Sequence, residues 1–188
     1  RSPIIAGATV LMEGEAINSL YGYKVDGLYQ ISDFTWQDNS NESIPHENRK
    51  YILKKDVVSV NNFTAQPGDL KYRDLDGDGI VTMEHDRTVI AKQFPDFIYS
   101  LQTNIIWKNF DCSIFFQGVQ GLEGYQYFLP FDNFKNTPIW FKDRWTPSHT
   151  HTSIPRLVKD DNRNLINSET YVENASYLRL KNIEIGYT

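Results

Sequence analysis

The segment FIYSLQTNIIW, residues 97–107, alternates apolar and polar side chains almost one by one. Tyr99, Leu101, Thr103, Ile105 and Trp107 fall on one side, and Ser100, Gln102 and Asn104 on the other. Alternation with period two specifies an extended strand with one apolar and one polar face. Three further segments share it. In INSLYGYKVDGLY, Ile17, Tyr21, Tyr23, Val25 and Tyr29 oppose Asn18, Lys24 and Asp26. In FDCSIFFQG, Phe110, Cys112, Ile114 and Phe116 oppose Asp111, Ser113 and Gln117. The segment SYLRLKNIEIGYT begins with Leu178 and Leu180 on one face, then changes phase to Ile183, Ile185 and Tyr187. That change predicts a β-bulge near Lys181 and Asn182. The expected strands are therefore about 16–30, 97–107, 110–118 and 176–187.

The connections are unequal. Glu13 to Glu15 offers a tight turn into the first strand, and Lys108-Asn109 joins the second to the third. The other two links, about 31–96 and 119–175, are far longer than the structureless loops compact domains tolerate. Short turns on one side and long loops on the other are the habit of outer-membrane barrels, whose long loops are extracellular. A transmembrane strand needs only about 9–11 residues, so the lack of an 18-residue apolar run leaves the membrane open. A soluble β-sandwich also alternates, and the apolar face does not by itself say whether it meets lipid or a second sheet.

Composition narrows the function. Aromatic residues make up 14% of the 188, which favours β structure or a membrane interface. A net charge of −5 gives no basic footprint for nucleic acid. The lone Cys112 reads as a small packing residue, and RSPIIAGATV shows no signal-peptide pattern. His149 and His151 would share a face if extended but lack a third ligand nearby. No carboxylate pair is held in register for glycoside hydrolysis, and there is no phosphate-cradling glycine loop or nucleophile elbow. An enzyme is not expected.

The stretch DLDGDGIVTMEHD, residues 74–86, is the strongest local motif. With Asp74 as position one, Asp76 and Asp78 stand at three and five, Gly79 at six, Ile80 at seven and Thr82 at nine. This is the spacing of an EF-hand-type calcium loop, in which alternate carboxylates converge on one hard cation. Position twelve is His85, a poor calcium ligand, so Asp86 would close the site through a one-residue bulge. Neither flank reads as a helix, which disfavours a sensor and leaves a structural Ca2+ staple or an Asp-rich turn satisfied by its own amides. A second loop, GYQYFLPFDNFKNTPIWFKDRW, is crowded with aromatics. Its Tyr125, Tyr127, Phe131, Trp140 and Trp145 could meet sugar rings, a partner protein or lipid headgroups, or form the core of the loop.

These segments also resemble a known family in their order. YGYKVDGLYQ, PGDLKYRDLDGDG, DRTVIA, PDFIYSLQTNIIWKNFDCSIFFQGVQG, DRWTP, IPR and NASYLRLKNIEIGYT are similar to the later barrel region of SusC/RagA-type TonB-dependent outer-membrane transporters. The resemblance implies an all-β fold, with residues 1–188 an incomplete part of a large antiparallel barrel of about 22 strands that encloses a plug. It implies import of oligosaccharide or peptide substrate in Bacteroidetes, with a SusD-like surface lipoprotein as lid and TonB as energy source. Partners would also be the plug, the remaining strands and outer-membrane lipid; no TonB box or plug is seen in this stretch. In the family, the acid closing the Asp-rich loop usually comes one residue before Asp86. The alternative function is a secreted, calcium-stabilised carbohydrate-binding β-sandwich.

Overall fold

The computed structural model describes residues 3–37, 43–126, 139–158 and 163–188. Among them, every regular element other than short 3-10 turns is a strand. In chain order these are β1 (Ile4–Ala6), β2 (Thr9–Leu11), β3 (Ser19–Tyr23), β4 (Val25–Leu28) and β5 (Phe34–Trp36). Then come β6 (Tyr51–Leu53), β7 (Ser59–Val60), β8 (Leu70–Tyr72), β9 (Ile80–Val81) and β10 (Arg87–Ala91). The series ends with β11 (Phe97–Trp107), β12 (Phe110–Gln120), β13 (Glu123–Tyr125), β14 (Val172–Asn174) and β15 (Tyr177–Tyr187). The chain forms two compact units, one of Arg1–Leu20, Ala91–Gln126 and Val172–Thr188, the other of Tyr21–Ile90 and Tyr127–Tyr171.

The first unit is dominated by the antiparallel sheet β11-β12-β15, each strand eleven residues long. β11 and β12 pair residue for residue from Phe97↔Gln120 to Trp107↔Phe110. A two-residue turn joins them, with Lys108 at a φ of 55°. β12 pairs with β15 from Phe110↔Tyr187 to Val119↔Tyr177. One register shift interrupts this ladder: Phe115 faces Asn182 but Phe116 faces Leu180, which leaves Lys181 as the extra residue. The bulge sits where the sequence changes phase, and it returns the apolar residues to a common face.

Directly paired residues share a face, so the register sorts the sheet. One face carries the rows Leu101–Phe116–Leu180, Thr103–Ile114–Ile183, Ile105–Cys112–Ile185 and Trp107–Phe110–Tyr187. The other carries Ser100–Gln117–Arg179, Asn104–Ser113–Glu184 and, less polar, Gln102–Phe115–Asn182, with Ile106–Asp111–Gly186 and Ile98–Val119–Tyr177 toward its two ends. Apolar side chains on the first face stay bare, with Leu101 61% and Ile185 73% exposed. β11 and β15 are the open edges of this sheet, and it does not close on itself.

The expected first strand, about 16–30, is not one strand. It breaks at Lys24 into β3 and β4, and the two enter different sheets: β4 pairs with β8, and β3 with β2. The reason is burial on both sides. Tyr23, Leu28 and Tyr29 are all within the core, and Gly22 lies so close to the Asn167 carbonyl that a Cβ would stand 2.2 Å from it. The long links likewise carry short strands and 3-10 turns of their own.

The second unit has a small aromatic core of Tyr29, Phe34 and Ala65, packed by Tyr51, Leu53, Val57 and Phe63. The Tyr29 hydroxyl donates to the Val58 carbonyl at 2.6 Å. Burial, reinforced by the nearby Asp33 and Asp69 carboxylates, pushes the phenol above its ordinary range and keeps it a donor.

Candidate functional site

The sheet β11-β12-β15 has the dimensions of a membrane wall. Eleven residues at about 3.3 Å each, tilted by about 40°, rise roughly 25 Å, the height of an outer-membrane barrel's apolar band. Aromatic residues cluster at both ends of the bare face. At the turn end the Phe110 and Tyr187 rings lie 4.9 Å apart, and the Lys108 ammonium sits 5.1 Å from the Trp107 ring centre. At the other end Phe97 and Tyr99 lie 5.8 Å apart. Amphipathic rings and a snorkelling lysine are what a headgroup region selects. Cys112 sits mid-row between Ile105 and Ile185, a packing residue on that face.

The acidic loop lies in the second unit between β8 and β9. Asp74 organises it: one carboxylate oxygen accepts the Gly77 N–H at 2.7 Å and the other the Gly79 N–H at 2.7 Å. Asp76 accepts from Asp78 N–H at 3.3 Å, and Asp78 from Ile80 N–H at 2.8 Å. Gly79 takes a φ of 89°, a left-handed backbone that side chains resist, although a Cβ there would meet open space. The Gly79 amide most of all, with the Gly77 amide and contacts from Asp76 and Asp78, holds the Asp74 carboxyl below its ordinary value against an opposing desolvation. Oxygens of Asp74, Asp76 and Asp78 all lie within 4.8 Å of one another. The His85 ring approaches Asp76 at 3.1 Å.

Asp86 is placed differently from the expectation. It is fully buried, with one oxygen accepting Leu75 N–H at 2.7 Å and the other Thr82 N–H at 2.7 Å. The Thr82 hydroxyl also faces Asp86 at 3.2 Å and accepts the His85 N–H. Asp86 therefore ties the two ends of the loop together from beneath, and the structure does not bring it into the three-carboxylate cluster. Strands on both sides replace the helices of a sensor.

The aromatic residues do not form one platform. Tyr125 belongs to β13 in the first unit, and Trp140 stacks on Phe141 at 4.1 Å in the second. Trp145 is buried, with its indole N–H directed at the Gln30 side chain at 3.3 Å. Tyr127 and Phe131 lie outside the described residues. His149 and His151 are exposed.

Sequence reasoning passed over Asp69. It is wholly buried and receives the Arg156 Nε at 2.5 Å, the Asn164 amide at 3.1 Å and the Gln66 N–H at 2.8 Å, with Arg163 at 3.6 Å. The preceding Gly68, at a φ of 87°, lies against Trp145 so closely that a Cβ would meet its ring at 2.4 Å. The sequence signals were the PGD, DRW and IPR triplets, whose residues meet here.

An open antiparallel sheet with one bare apolar face, ringed at both ends by aromatics, is a wall section of an outer-membrane-type barrel. A scan against protein-family models matches none. Among curated proteins, the chain is 32% identical over 180 residues to TonB-dependent receptor P3 of Formosa agariphila, covering 95% of this chain and 16% of that receptor. It is 35% identical over 125 residues to TonB-dependent receptor P26 of the same organism, 64% of this chain and 12% of that receptor. The fold also matches the RagAB peptide importer solved in its open-open state, with a TM-score of 0.58 and 16% identity, covering all of this chain and 18% of that one. The chain is similar in sequence to TonB-dependent receptors and in fold to a stretch of the RagAB importer, and it spans under a fifth of the length of each of these three proteins.

Proposed function

We propose that this chain is part of an outer-membrane transporter that imports oligosaccharide or peptide substrate, powered through TonB and lidded by a SusD-like surface lipoprotein. The observation that carries the reading is the bare apolar face of β11-β12-β15, about one bilayer tall and aromatic at both ends. That face meets lipid, while Ser100, Gln102, Asn104, Ser113 and Gln117 turn toward the lumen. A secreted sandwich would instead cover its apolar face with a second sheet. In the first unit the face is bare.

The test uses the transporter that carries this chain. Cell fractionation should recover it from outer membranes in detergent, a surface lipoprotein should co-purify, and uptake of a labelled oligosaccharide or peptide should stop when TonB is deleted. Recovery as a soluble, detergent-free protein would overturn the reading.

We further propose a structural Ca2+ on Asp74, Asp76 and Asp78, with the Ile80 carbonyl and Thr82 as neighbours. Three clustered oxygen donors suit a hard cation. Asp86, occupied by amides, leaves protein coordination incomplete, and water would supply the rest. A calcium titration followed by protease resistance of the loop tests this; equal cleavage with calcium and with chelator would sink it.

A further inference from the structure

Phe115 is the middle residue of β12, and its side chain falls on the polar face of the sheet β11-β12-β15. Its own row is Gln102–Phe115–Asn182, and the rows on either side are wholly polar. One aromatic ring thus stands at mid-height with polar neighbours in every direction. We propose that Phe115 is the stacking platform of a subsite for one sugar residue of a neutral oligosaccharide. The proposal rests on the reading that this face lines the lumen, and it selects oligosaccharide over peptide as the cargo.

Three observations support this. The first is the chemistry around the ring. Gln102, Asn104, Gln117 and Asn182, all in these three rows, are carboxamides, each able both to donate and to accept a hydrogen bond. A sugar hydroxyl does the same. Residues directly opposite Phe115 stand about 5 Å away, and those two positions along the strand roughly 7 Å, so the amides surround a ring seated on it. The second is availability. The side chains of Gln102, Asn104 and Gln117 make no hydrogen bond to any described residue. Asn182 donates its amide to Glu184 at 2.9 Å and keeps its carbonyl oxygen without a partner. The third is the bulge. The register of β12 and β15 shifts between Phe115 and Phe116, with Lys181 as the extra residue. Bulges re-aim side chains and are enriched beside functional sites. This one lies against Phe115.

Charge and apolar area choose the occupant. The charged side chains of the flanking rows are Arg179 and Glu184, one of each sign, and Lys181 belongs to no row. The rows therefore carry no net charge with which to select an ionic ligand. A protein partner would meet a contiguous apolar core inside a polar rim. A single ring with polar neighbours on every side has no such core. A pyranose presents one C–H face with hydroxyls at its edge, which packs on the negative face of the phenyl ring while the carboxamides take the hydroxyls.

The test uses the detergent-purified transporter that carries this chain. It is screened against arrays of neutral oligosaccharides, acidic oligosaccharides and peptides, and the affinity for the strongest neutral binder is then measured by calorimetry. A neutral oligosaccharide should bind. Phe115→Leu keeps apolar bulk but loses the π face, and should weaken that binding at least tenfold, whereas Phe115→Trp should retain it. Gln117→Leu should weaken it severalfold, and Thr103→Ala, on the opposite face, should leave it unchanged. Binding of peptides or acidic oligosaccharides alone, no binding on any array, or full affinity in Phe115→Leu would each overturn the proposal. Full affinity in Phe115→Leu joined to new vancomycin sensitivity of whole cells would assign the ring to a seal against protein instead. Outer-membrane recovery and TonB-dependent uptake are separate measurements, so failure here leaves the import reading standing.

Discussion

An arginine scan along β11 gives the sharpest test of which way the sheet faces. Leu101 is next to the middle residue of the strand, is 61% exposed, and pairs with Phe116 on the apolar face. If that face meets lipid, Leu101→Arg puts a guanidinium near the bilayer midplane, at about 2–4 kcal/mol. A value of about 3 kcal/mol lowers the folded-to-unfolded ratio more than a hundredfold. Ile105 lies four residues along, roughly 10 Å nearer the turn-end interface for a strand tilted by about 40°. Ile105→Arg should therefore cost less, and Trp107→Arg, at the aromatic end, about 0–1 kcal/mol. Gln102→Arg is the control: it is adjacent in sequence but on the opposite face, and should change stability by less than about 0.5 kcal/mol. The assay is urea titration of the whole transporter refolded into lipid vesicles, with the folded fraction read from heat-modifiable mobility. A packed protein core would also resist arginine, but without a gradient from strand centre to strand end. A flat profile, or equal losses at positions 101 and 102, refutes the lipid-facing assignment.

Other outcomes follow from the second unit and are measurable by the same denaturant titration or by proteolysis. Asp69→Ala removes the one buried carboxylate between Arg156 and Arg163, whose side chains are 25% and 26% exposed, and should cost about 3–5 kcal/mol. Gly68→Ala combines a φ of 87° with a Cβ only 2.4 Å from the Trp145 ring, so it should cost more than about 1 kcal/mol, whereas Gly77→Ala meets open space and suffers the backbone strain alone. Asp86→Ala leaves the Leu75 and Thr82 amides without their acceptor and should loosen the loop with or without calcium, seen as new protease cleavage within residues 74–86. The Asp74 carboxyl is held below its ordinary value of 3.8, so its bonds to Gly77 and Gly79 are fully present above that pH and are lost only as pH falls through the depressed value. Hydrogen exchange at Gly79 should stay protected at pH 4 and lose protection under more acid conditions, and an early loss near pH 5 would contradict the assigned bonds.

The three long strands were legible because each keeps an apolar row on one face and mostly polar residues on the other, so the pleat shows directly in the sequence. Even the bulge at Lys181 was visible, since one extra residue inverts every later side chain. The same alternation misled at residues 16–30. There, Asp26 is exposed and pairs with Arg73 at 2.6 Å, while Tyr23 and Tyr29 are buried. Period two reports a pleat with two environments, and a short strand inside a folded loop has two environments as well. Asp86 illustrates a different limit. Spacing places a carboxylate near the end of the loop, but spacing does not say whether its oxygens face a cation or two backbone amides.

Asp69 was illegible for a third reason, since its partners Arg156 and Asn164 are 87 and 95 residues away. Yet it accounts for the ordered set of short family-like segments. PGD, DRW and IPR are uninformative triplets when read singly. In the folded chain Gly68 packs on Trp145, Asp69 grips Arg156, the Arg156 N–H donates to the Gly68 carbonyl at 2.8 Å, and Trp145 N–H donates to Ile154 of the IPR triplet at 2.9 Å. The three triplets are one contact written in three places. A change in any of them leaves a buried charge, a clash or an unpaired amide in the other two, so physical chemistry requires them to be kept together. That argument predicts their co-occurrence even where the intervening loops differ in length and composition, provided that Asn164 and Arg163, which also reach Asp69, are kept with them.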